Sequence, residues 1–154
     1  MSRTGIGYDS HRLGGGRPLV LGGVEIPGAA RGLIGWSDAD VLTHAVIDAV
    51  LGAAGLGDIG EHFPDTDDRW RNAESLELLR RVCGMLSRPV AHVDATVMCE
   101  APKLAPHRDA MRTRLAEALG LSAASVNVKF TTGEGIGFVG RGEGIAALAV
   151  ATLA

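Results

Sequence analysis

The sequence predicts an α/β fold, an α+β sandwich with a mixed β-sheet and helices on one face. Three observations predict it. Strand-like runs alternate with stretches of helical period, and turn signals are spread evenly with no repeat, low-complexity tract or long linker. The chain has 154 residues and is 46% hydrophobic, enough for one core. A single domain over 1–154 is expected. The apolar share comes mainly from Ala, Val and Leu, with 4% aromatic residues, so small-residue packing is expected and Trp36 and Trp70 stand out.

Arg3 to Arg12 reads as a strand leading to the Gly14-Gly15-Gly16 turn, and Pro18 to Ile26 as a hairpin of two short apolar runs split by Gly22-Gly23. Ser37-Asp38-Ala39-Asp40 pairs an N-cap hydroxyl with a carboxylate three residues later. A first helix is therefore expected from Ser37, carrying Leu42, Val46, Ala49 and Val50 on one stripe and ending at the glycines at 55 and 57. A second helix is expected from Glu74 to Leu86, and a third from Pro106 to Leu119, closed by Gly120. Pro89 to Cys99 lies between these two helices, and Val126 to Thr132 follows the third. The apolar run Gly144 to Leu153 fits helix or strand by composition. The glycine-rich stretch Gly133 to Gly144 before it implies a tight turn and favours a closing strand.

Net charge is −3, from 18 acidic and 15 basic residues, so no broad basic field attracts nucleic acid or an anionic membrane. An anionic ligand would have to be met locally, by metal ions, backbone N–H groups and a few cationic side chains. Cys83 and Cys99 are isolated thiols without CxxC spacing and read as reduced core residues. The opening residues carry no apolar leader core, and no stretch approaches the roughly 20 apolar residues of a membrane span. A cytoplasmic location is expected.

Asp9 and His11 are two apart in a strand, so both leave the same face and can reach one ion. An Asp-x-His pair reads equally as a hydrogen-bonded surface pair, and a metal site needs a third ligand. His44 offers one from the first helix, with Asp48 one turn further on as a possible outer-shell partner. His44 also reads as a buried helix histidine. Two histidines and one aspartate with an open fourth position suit catalytic zinc, and spacing alone leaves both readings open.

Several segments occur in one order along the chain: Gly7-Tyr8-Asp9-Ser10-His11, Ser37 to Val41 with His44, Gly57-Asp58-Ile59-Gly60, and Phe63 to Asp67. Ala101-Pro102-Lys103-Leu104 with Pro106-His107, Val126 to Lys129, Thr131-Thr132 with Glu134, and Gly140-Arg141-Gly142-Glu143-Gly144 continue the series. In these the chain resembles the 2-C-methyl-D-erythritol 2,4-cyclodiphosphate synthase family over nearly its whole length.

The resemblance implies a homotrimer with three sheets packed about an axis and active sites shared between neighbours. It implies zinc on Asp9, His11 and His44, and a second divalent ion, magnesium or manganese, on Glu134. Thr131 and Thr132 resemble the residues that hold the nucleotide diphosphate. The stretch Cys99 to Ala105, including Ala101, Pro102, Lys103 and Leu104, resembles the cytidine pocket. Trp36, Ser37, Asp58, Gly60 and Asp65 resemble the side that takes the methylerythritol phosphate. Phe138 and Arg141 are expected to bind substrate too, and Arg141 fits equally a structural ion pair with Glu143. His62, His92 and His107 have no comparable partners and read as structural or surface residues.

The reaction implied is intramolecular phosphoryl transfer that releases CMP, a lyase step of non-mevalonate isoprene biosynthesis. The chain departs from the family pattern at Trp36, where a histidine is usual, and at Gly133 and Gly135, where threonine and lysine are usual. Leu148 replaces a commonly acidic position. Two other readings remain open: a metal-dependent phosphohydrolase, and a trimeric diphosphate-binding protein with weak turnover.

Overall fold

Alternation in the first strand decides where the core lies. In the computed structural model, which describes residues 1–154, β1 (Arg3–Gly14) buries Gly7, while Ile6 and Tyr8 on the opposite face stay exposed. The helix α1 (Val41–Ala54) lies across the buried face. Its approach is set by glycine, because a Cβ at Gly5 would stand 2.2 Å from the Ala49 carbonyl oxygen and one at Gly7 1.9 Å from that of Ala45. Strand backbone thus meets helix backbone with no side chain between. α1 is therefore buried nearly all round, which explains its almost continuous apolar sequence.

Beyond α1 lie α2 (Ile59–His62), α3 (Ser75–Cys83), β5 (Val90–Met98), α4 (Arg108–Leu119), β6 (Val126–Thr131), α5 (Gly137–Gly140) and β7 (Gly144–Leu153). The hairpin expected between Pro18 and Ile26 forms from β2 (Val20–Leu21) and β3 (Val24–Glu25), and β4 (Gly32–Ile34) follows. The main sheet has the order β4-β1-β7-β5-β6, with only β5 and β6 parallel. The expected mixed sheet with helices on one face is what forms. Its other face exposes Ile6, Tyr8, Leu148 and Val150. No helix is long and apolar enough to cross a membrane.

Several boundaries differ from the sequence reading. The cap of α1 is Asp40, not Ser37, because Ala39 takes a left-handed φ of 57° and breaks helical continuity between them. The fully buried Asp40 carboxylate accepts from Thr43 N (3.0 Å) and Thr43 Oγ1 (2.7 Å), and from Gly22 N (2.9 Å) and Gly23 N (2.7 Å), tying the hairpin to the helix. α3 stops at Cys83, short of Leu86. Pro106 sits in a 3-10 turn before α4, whose closing Gly120 is left-handed as expected. The strand β4 went unread because three residues carry no periodicity. The Gly133 to Gly144 stretch holds α5 as well as a turn: a Cβ on Gly133 would stand 2.5 Å from Gly140 N, so glycine meets glycine where the chain folds back.

Candidate metal centre and adjoining clefts

Asp9 and His11 leave β1 toward the first turn of α1, where His44 meets them. Asp9 Oδ2 lies 2.9 Å from His11 Nε2 and 3.1 Å from His44 Nδ1, and the two ring nitrogens are 3.3 Å apart. One ligand atom from each residue falls within 4.8 Å of the others. His11 Nδ1 is 2.9 Å from the Ile34 carbonyl, which can only accept, so the proton sits on Nδ1 and the Nε2 lone pair faces inward. Burial pushes the Asp9 carboxyl up, but when the two rings are protonated their hydrogen bonds and charge prevail and hold it down at about 2, and a metal ion would take the place of those protons. For His11, burial is outweighed by the bond to Asp9 and the ring is held above its ordinary value. A carboxylate and two imidazoles converging on one point are a donor set that fits a divalent metal ion.

In front of the three residues opens a cavity of about 440 Å³ that also includes Trp36, Ser37, Gly60, Phe63, Asp65 and Trp70. Four of the residues expected on the methylerythritol side, Trp36, Ser37, Gly60 and Asp65, are thus brought together. Asp58 is not on this wall. It caps α2, accepting from Glu61 N at 3.1 Å. Trp36 donates its indole N–H to the Asp67 carbonyl (3.1 Å), and the Arg71 guanidinium lies 4.3 Å from the centre of its ring.

The expectation that Asp48 supports His44 is corrected. Asp48 Oδ1 accepts from Ile59 N at 2.8 Å and so fixes the start of α2, while His44 Nε2 faces Ser75 Oγ at 2.7 Å and Ser37 Oγ at 3.1 Å. Burial raises the Asp48 carboxyl. Sequence reasoning missed Ser75, which lies 31 residues from His44.

A second, smaller cleft of about 180 Å³ lies at the β5–β6 edge and brings together Cys99, Pro102, Lys103, Leu104, Ala105, Thr131 and Thr132. Ala101 joins Pro102 by a cis peptide and accepts from the Cys99 thiol at 3.3 Å without lining the cleft. Beside it Glu134 has a left-handed φ of 53°, with its N–H on Thr132 Oγ1 (3.2 Å). Glu100, also missed in the sequence, accepts from Gly133 N (2.8 Å) and Gly135 N (3.2 Å), one with each carboxylate oxygen. Phe138 is part of a further small hollow with Ser10, His11, Arg12 and Glu143, whereas Arg141 pairs with Glu143 at 3.0 Å. His62 bonds the Leu56 carbonyl at 2.7 Å.

The two clefts share no residue. Ser10 pairs across to Ala146, Ala146 to Met98 and Met98 to Thr131, so the metal-centre strand and Thr131 are separated by three strand spacings, roughly 14 Å.

Sheet, clefts and converging ligands define an α/β protein equipped to hold a metal ion beside a polar small molecule. Residues 2–154 match the YgbB family, and the chain belongs to it. It is 59% identical over 154 residues to the 2-C-methyl-D-erythritol 2,4-cyclodiphosphate synthase of Salinibacter ruber, covering 98% of each chain. It is also 59% identical over 152 residues to the bifunctional enzyme IspD/IspF of Anaeromyxobacter sp., where the match spans 97% of this chain and 39% of that protein. The chain thus spans about two fifths of the length of the bifunctional relatives it matches. A solved 2C-methyl-D-erythritol-2,4-cyclodiphosphate synthase in a CDP-bound form superposes with a TM-score of 0.90, at 39% identity and with 99% of this chain and 100% of that one covered.

Proposed function

We propose that residues 1–154 form one synthase domain that converts 4-diphosphocytidyl-2-C-methyl-D-erythritol 2-phosphate to 2-C-methyl-D-erythritol 2,4-cyclodiphosphate and CMP, in the cytoplasm. The observation that carries this reading is the convergence of Asp9, His11 and His44 on an open cavity, in a chain so similar along its length to synthases of that name. Asp9, His11 and His44 hold zinc, and Glu134 holds magnesium or manganese. Bound there, the ions act as Lewis acids that neutralise charge on the transferring phosphoryl group.

The chain's own residues then position the reactants. Ser37, Gly60 and Asp65 hold the methylerythritol phosphate in the larger cavity, and the Cys99 to Ala105 segment takes the cytosine base. Thr131 and Thr132 donate to the diphosphate. An oxygen of the substrate's 2-phosphate forms a bond to the β-phosphorus as the bond from that phosphorus to the CMP oxygen breaks. The nucleophile is already anionic, so no strong base is required, and folding the substrate back on itself supplies most of the catalysis.

The reading includes a homotrimer. The separation of the two clefts within one chain and the apolar open face of the sheet support it. Incubation with the authentic diphosphocytidyl substrate, followed by phosphorus NMR and CMP quantitation, tests the function. Cyclic product with equimolar CMP is expected. A linear phosphate product supports a hydrolase instead, and binding without CMP release a diphosphate-binding protein. Metal analysis of His44→Ala tests the ligand set, with loss of stoichiometric zinc expected.

A further inference from the structure

Ser75 is fully buried at the start of α3, yet its hydroxyl touches two polar groups that belong to distant parts of the chain. On one side it donates to Asp38 Oδ1 in a short bond, while the Ser75 N–H donates to Asp38 Oδ2 at 2.9 Å. On the other it lies 2.7 Å from His44 Nε2. Asp40 N also donates to Asp38, at 3.1 Å, so the carboxylate is held in place from two segments.

We propose that Asp38 and Ser75 form a positioning relay that fixes His44 in its metal-binding tautomer. The inference rests on Asp9, His11 and His44 being a metal centre. It follows from counting protons. A carboxylate only accepts, and a hydroxyl has one proton, which Ser75 gives to Asp38. Toward His44, Ser75 can then only accept, so the proton of the neutral ring resides on Nε2. Nδ1 is left with its lone pair beside Asp9 and His11. The same bond sets the rotation of the ring, as a carboxylate behind a metal-bound histidine commonly does, here with a serine interposed. Ser37 Oγ, at 3.1 Å, is the more distant neighbour of Nε2 and already accepts from Ala39 N at 3.3 Å. Its hydroxyl proton is therefore free for the cavity, and Ser37 can face substrate because Ser75 takes the supporting task.

The test is zinc affinity, measured on the folded full chain by competition with a chromogenic chelator. Ser75→Ala is expected to weaken zinc binding about 10- to 100-fold, and Ser75→Thr, which restores the hydroxyl, to return it to within a few-fold of the unsubstituted chain. Asp38→Ala is expected to match Ser75→Ala. Because the relay acts through His44, adding Ser75→Ala to His44→Ala should weaken zinc no further, whereas a merely structural serine would add its cost in either background. Ser75→Cys, whose thiol is a poor acceptor, carries the same expectation should the alanine variant fail to fold. Unchanged affinity in Ser75→Ala or Ser75→Cys, or additive losses in the double variant, overturns the relay alone. Unimpaired zinc binding by His44→Ala overturns the metal centre, and the relay with it.

Discussion

The indole N–H of Trp36 donates to the carbonyl of Asp67 at 3.1 Å, and this bond ties the segment before α1 to the stretch between Asp65 and Trp70, two residues that line the larger cavity. Trp36 also lines that cavity. Its only donor is spent on the protein, so it cannot also bond a phosphate. Trp36→Phe keeps an aromatic ring and deletes that bond, worth about 0.5–1.5 kcal/mol, so KM should rise roughly two- to tenfold while kcat and zinc content hold. A fall in kcat at constant KM would instead place the indole at the transition state.

Glu100 uses separate oxygens for Gly133 N and Gly135 N, and between these two residues sits Glu134 in its left-handed turn. Glu100→Gln can serve one amide and turns an NH₂ group toward the other. The turn should loosen, with a stability loss of about 1–3 kcal/mol and weaker binding of the magnesium or manganese proposed at Glu134. Zinc at Asp9, His11 and His44 should stay stoichiometric. Manganese titration followed by electron paramagnetic resonance separates the two effects.

Gly7→Ala places a methyl 1.9 Å from the Ala45 carbonyl oxygen, backbone that cannot yield without moving α1. A loss of about 3 kcal/mol or more is expected in denaturant titration. Gly15→Ala is the control, since a Cβ there meets nothing within 4 Å, and should leave stability unchanged or raise it by about 0.4–1 kcal/mol.

Burial pushes the Cys99 and Cys83 thiols up to about 11. Thiolate is the nucleophile, so iodoacetamide labelling should be slow at pH 7.5 and climb about tenfold per pH unit until near 11. A folded thiol value above the reference of 9.0 favours folding below 9.0, and that contribution is lost as pH rises through about 11. Mass spectrometry of labelled peptides at a series of pH values checks the first point, and urea midpoints at pH 8 and 10.5 the second, with the lower stability expected at 10.5.

Much of the site was legible because strand period is local. Asp9 and His11 had to share a face, and the helix that carries His44 followed from its apolar stripe. The supports behind them were not legible. Ser75 reaches His44 across 31 residues and Glu100 reaches Gly133 across 33, and neither pairing leaves a trace in spacing. Asp48 was misplaced for the converse reason: sharing a helix face with His44 says nothing about α2, whose Ile59 N–H takes its carboxylate. Ser37 and Asp40 both satisfy a capping pattern, and only the left-handed Ala39 between them decides which caps.

The proposed trimer makes the sharpest demand on function. Ile6, Tyr8, Leu148 and Val150 are 40–70% exposed on one sheet face, an apolar patch that an isolated subunit would leave in water. Ile6→Asp should shift the species seen by sedimentation equilibrium toward monomer and abolish turnover while the fold persists. If each site joins the metal centre of one subunit to the nucleotide cleft of the next, defects in the two halves should complement. His44→Ala and Thr132→Ala chains are each expected to be nearly inactive alone. Unfolded together in equal amounts and refolded, they would form mixed trimers in which about a quarter of the sites combine an intact metal centre with an intact cleft. Recovery of roughly that fraction of wild-type CMP release is expected. Mixtures no more active than their components would show that both halves must come from one chain, which the roughly 14 Å between them makes difficult for a single folded-back substrate to satisfy.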